Sequence, residues 1–96
     1  MKALLCAVVL GCAGCGGRVP AVTPADATRA GVPFETLSTG RQTYLDTCGG
    51  CHALWAPGSR TREHWAQKLP AMAARAHLDG PRSQALGAFL RTFAGP

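Results

Sequence analysis

An all-α fold of about three helices is what this 96-residue chain predicts, and three observations predict it. Leu86, Phe89, Leu90 and Phe93 recur at helical spacing near the C-terminus. Trp65, Leu69, Met72 and Ala76 share one face at 3.6 residues per turn. No stretch alternates apolar and polar residues as a half-buried strand does. Helices are therefore expected over roughly 38 to 50, 61 to 76 and 81 to 93.

The first residues stand outside that fold. Lys2 precedes the apolar run Ala3 to Leu10, too short to span a bilayer but suited to the core of a secretory signal. Small residues and cysteines follow as Gly11-Cys12-Ala13-Gly14-Cys15, which resembles a bacterial lipoprotein signal, where a cysteine behind small residues is acylated and becomes the mature N-terminus. Residues 1 to 14 are read as that signal and Cys15 as the lipidated residue, with Cys12 behind Val9-Leu10-Gly11 as the alternative and an unlipidated secretory signal as another. The chain is accordingly expected on the periplasmic side of a bacterial membrane, anchored to it by lipid. Residues 15 to 36, with Pro20, Pro24, Gly31 and Pro33 and no sustained periodicity, read as a tether, and 37 to 96 as the folded domain.

The first expected helix leads into Cys48-Gly49-Gly50-Cys51-His52, the CxxCH pattern of c-type haem attachment. On a helical turn Cys48 and Cys51 lie on nearly the same side, so both sulfurs can bond one porphyrin while His52 turns its imidazole beneath the iron. Gly49 and Gly50 add no side chains to obstruct the macrocycle. Zinc held by Cys48, Cys51 and His52 with His64 or His77 lacks the second CxxC and the usual spacings. A thioredoxin-like dithiol lacks the strand-to-helix setting, and a plain disulfide leaves His52 unexplained. One covalent haem c per chain is the expectation. It also suits the composition: 47% of the residues are apolar, yet Ala and Gly carry much of the small-residue content and the aromatics number six, a thin core for a domain this small.

Gly40, Tyr44, Cys48, Cys51 and His52, together with the closing Leu86-Gly87-Ala88-Phe89-Leu90, resemble the class I cytochrome c family. The resemblance implies a small all-α fold around the haem, in which a small residue and an aromatic of the first helix touch the C-terminal helix. It further implies an electron carrier rather than an enzyme, exchanging electrons with redox-protein donors and acceptors. Trp65, Leu69 and Phe89 are read as pocket residues, with Leu54 and Leu86 beside them, and His52 as the proximal iron ligand.

An axial sulfur can come only from Met72, because the other methionine, Met1, belongs to the export signal. Pro70 is expected to kink this helix or start a new one. His77, His64 and an open sixth position remain as alternatives; His64, among Arg60, Arg62 and Glu63, is expected to face solvent, and Trp55 to pack behind the proximal side or else line the pocket. An open or displaceable position would suit a haem-based ligand sensor or a peroxidase-like protein. The positive balance, ten Lys and Arg against five Asp and Glu, is dispersed along the chain without aromatic interleaving, and so reads as a solvated, partner-steering surface rather than a nucleic-acid site.

Overall fold

The computed structural model describes residues 19–49 and 54–96, and among them the fold is predominantly helical, with no strand. Cys12, Cys15, Cys51 and His52 lie outside the described residues. Helix α1 spans Pro24–Ala30, α2 Phe34–Thr43, α3 Arg62–Arg75 and α4 Gly80–Phe93; a π-helical turn, Tyr44–Cys48, extends α2.

Within the segment read as a tether, the chain from Val19 onward touches the core and holds a helix, α1, that the sequence did not lead one to expect. Thr23 caps α1, accepting from the Asp26 amide while the Asp26 carboxylate accepts from the Thr23 amide at 2.8 Å, and Pro24 stands in the first turn. Gly31, at φ 67°, closes the helix in the left-handed conformation. Upstream, Val19 is only 8% exposed and belongs to the core, while Nε of Arg41 donates to the Pro20 carbonyl at 2.8 Å. The entry to the domain is thus latched onto α2.

Helix α2 packs along α4. The closest approach is at Gly40, where a Cβ would run into the Ala85 carbonyl and lie 2.7 Å from Cβ of Phe89. One turn on, the Tyr44 ring meets Phe89 at 6.1 Å and Trp65 edge-on at 6.1 Å. Leu37, Leu86 and Leu90 complete a seam from which water is excluded. Burying each such side chain is worth about 1.5–3 kcal/mol.

Thr61 caps α3, its hydroxyl accepting from the His64 amide at 3.1 Å. The helix runs through Pro70 as one element, where a kink or restart was expected. Pro70 and Ala66 are both exposed, so the carbonyl that proline leaves without a helical donor sits on the water side. Asp79 caps α4, accepting from the Arg82 amide at 2.8 Å with Pro81 in the first turn, as expected. Beyond α4, the Gly95 amide donates to the Arg60 carbonyl at 2.8 Å, and the lack of a side chain at Gly95 lets the tail lie against Gly58.

Candidate functional site

The end of α2 delivers Cys48 to the interior. The π-helical turn widens the helix at Tyr44–Cys48, an irregularity that recurs at functional sites because it re-aims the side chains it carries. The Thr47 hydroxyl donates to the Thr43 carbonyl at 2.6 Å across this turn and lies 3.7 Å from Sγ of Cys48. Cys48 is buried in one apolar cluster with Tyr44, Trp65 and Phe89, and Leu54 and Met72 pack against that cluster.

Two buried aromatics hold the loop that follows the CxxCH segment. The Tyr44 hydroxyl donates to the Trp55 carbonyl at 2.6 Å, and Nε1 of Trp65 donates to the Pro57 carbonyl at 3.0 Å. The Ala56 carbonyl accepts from the amide and hydroxyl of Ser59. Burial, reinforced by the nearby Cys48 sulfur, pushes the Tyr44 phenol up to about 12, so it remains a donor across the neutral range.

Between this loop and α3 lies a solvent-open cavity of about 330 Å³, lined by Tyr44, Trp55, His64, Trp65 and Met72, with Lys68 and Arg75 among its other walls. His64, Lys68, Met72 and Arg75 fall on one face of α3 at i, i+4, i+8 and i+11. Trp55 stands at the cavity 42% exposed, under the Arg60 guanidinium 4.2 Å from its ring centroid, in the lining place of the two expected for it. His64 departs from expectation: it is partly buried beside Trp65, and its Nε2 is buried without a hydrogen-bond partner among the described residues. Enclosure by the Trp55 loop accounts for this, since nothing in the sequence around His64 signals that cover.

Met72 and Trp65 therefore share the cavity. Leu69 faces the α3–α4 groove, where its side chain approaches Gly87, and Phe89 is fully buried between Tyr44 and Phe93; neither lines this cavity. His77 occupies the exposed turn after α3 at φ 55° and does not line it either. Lys68 and Arg75 were not singled out in the sequence, though their spacing from His64 is the signal that places them.

The residues present suit a flat apolar group with acidic edges. Aromatic and thioether walls meet its faces, an orphaned imidazole nitrogen awaits a polar partner, and two cations can meet carboxylates. Among the described residues no three His, Cys, Asp or Glu side chains gather as a metal-binding group, and no helix is long and apolar enough to cross a membrane. Compared with protein-family models, with curated proteins and with solved structures, the chain gives no match.

Proposed function

We propose that this chain is an exported monohaem c-type cytochrome, an electron carrier held to the periplasmic face of a bacterial membrane by a lipid on Cys15 or Cys12. Cys48 and Cys51 would bond haem c, and the His52 imidazole and Met72 thioether would hold its iron. The observation that carries this reading is the junction of motif and cavity: CxxCH begins at Cys48, buried in the apolar cluster against which Met72 packs, and Met72 also lines the cavity on α3.

Bound there, the haem supplies one-electron chemistry at its iron. The chain's own side chains provide the setting. Tyr44 and Trp65 fix the loop that carries Trp55 to Pro57, which limits rearrangement in the segment that follows the motif. The Met72 thioether and the apolar walls disfavour additional positive charge and so favour a high potential. Lys68 and Arg75, in the cavity wall, would pair with the carboxylates of the haem. Redox proteins are the partners in this reading.

Optical spectra of the chain exported by a host with haem-maturation machinery test it. Sharp reduced c-type bands together with a weak near-infrared sulfur-to-iron band are expected. Bands without the sulfur feature would remove Met72 from the iron.

One observation favours a second reading, a ligand-binding or peroxidase-like haem protein: the buried Nε2 of His64 lies in a residue that shares the cavity with Met72. Were Met72 displaced, that nitrogen could accept a proton from a bound small molecule. Rapid, tight carbon monoxide binding to the reduced protein would support it, whereas resistance supports the carrier.

A further inference from the structure

We propose that the folded domain rests directly against the bilayer that holds its own lipid anchor, with the end of α2 that carries Cys48 kept close to the membrane. The inference rests on the lipoprotein reading and goes beyond it. A tether of some twenty residues would let the domain range over several tens of ångströms. The ordered entry removes most of that length.

Val19 is buried in the same cluster as Tyr44 and Cys48, and Val22 packs against it. Arg41 fastens the two residues concerned, donating from Nε to the Pro20 carbonyl at 2.8 Å and from a terminal nitrogen to the Val19 carbonyl at 3.4 Å. Thr23 and Asp26 then lock the start of α1. The described fold thus begins at Val19.

Four peptide steps separate Cys15 from Val19, a span of at most about 14 Å when fully extended; from Cys12 the limit is about 25 Å. Seven residues of helix separate Arg41 from Cys48, about 10 Å along the axis. An anchor at Cys15 therefore holds the attachment site near the lipid surface, and one at Cys12 allows it further out. Residues 16 to 33 carry Arg18 and Arg29 against the single acid Asp26; Arg29 pairs with Asp26 at 2.9 Å, which leaves a net single positive charge to favour anionic headgroups. The occupant of this end of the domain is the membrane itself, and the accessible redox partners are those embedded in or travelling along the same bilayer.

The test uses the acylated, haem-loaded protein in a supported bilayer of phosphatidylethanolamine and phosphatidylglycerol, with mass spectrometry of the anchor and neutron reflectometry of the protein layer. Protein density should begin at the headgroups, without a hydrated gap wider than the short linker allows. Inserting about eight Gly and Ser residues between Gly17 and Arg18, upstream of the described residues, should move the layer outward by about 15 Å. An acylated wild-type protein that stands off as far as the insertion variant overturns the docking while leaving the lipoprotein reading intact. A mature chain without acyl groups overturns both.

Discussion

Gly40 of α2 sits so close to Ala85 of α4 that a Cβ at position 40 would enter the Ala85 carbonyl. The two helices pack along each other across this point, and the obstacle there is backbone rather than a movable side chain. Gly40→Ala gains helix propensity, about 1 kcal/mol, but must separate the helices, and overpacking of this kind costs about 1–3 kcal/mol or more. A net loss of stability on denaturant titration is expected. Gly87→Ala is the comparison: its Cβ would meet the far ends of Leu69 and Arg91 at 3.0 Å, groups able to yield, so that variant should be near neutral.

His77 holds a left-handed backbone, φ 55°, in the turn that ends α3. Such a conformation costs an L-residue roughly 1–2 kcal/mol that glycine does not incur. His77→Gly should therefore raise stability by about 1 kcal/mol after glycine's greater unfolded-state freedom is deducted. If His77 is no iron ligand, the haem spectrum stays unchanged; a lost axial ligand with an altered spectrum would contradict the assignment to Met72.

The Tyr44 phenol titrates at about 12 in the fold and nearer its ordinary value of 10.0 when exposed, chiefly because it is buried. The neutral phenol is the form the fold prefers. The associated stability is thus complete below pH 10 and is lost as pH rises through the interval to about 12. Because Tyr44 is the only tyrosine, phenolate absorbance follows its ionisation directly. Tyr44→Phe should flatten the alkaline part of the stability profile. It should also lower stability at neutral pH by about 1 kcal/mol through loss of the bond to the Trp55 carbonyl.

Met72→Ala separates the two functional readings. In the carrier, the near-infrared sulfur band disappears and the reduced protein gains rapid carbon monoxide binding, while His64→Ala leaves that band in place. A wild-type protein that already binds carbon monoxide as fast as Met72→Ala would favour the ligand-binding reading.

Much of the helical framework was legible because it is written in periodicity. Leu86, Phe89 and Leu90 mark the buried side of α4, and Asp79 with Pro81 marks its start. Helix α1 was not read because seven residues are too few for periodicity to register, although Thr23-Pro24-Ala25-Asp26 carries the capping signal that announces it. The burial of Val19 depends on Arg41, twenty-two positions away, and no local pattern encodes such a latch. The site was legible in part for a similar reason. Trp65 and Met72 follow from helical spacing, whereas the cover over His64 and the position of Trp55 depend on where the loop after CxxCH folds back. Leu69 shares the face of Met72 on a helical wheel yet turns to Gly87, because α4 and not the cavity is its neighbour.

Peptide mapping by mass spectrometry of the exported protein, matured in a haem-competent host, tests the central claim most directly. A peptide spanning Cys48 to His52 that carries the mass of one haem through two thioether bonds, resistant to acid–acetone extraction, is the result expected. Free or disulfide-linked Cys48 and Cys51 under those conditions would contradict it.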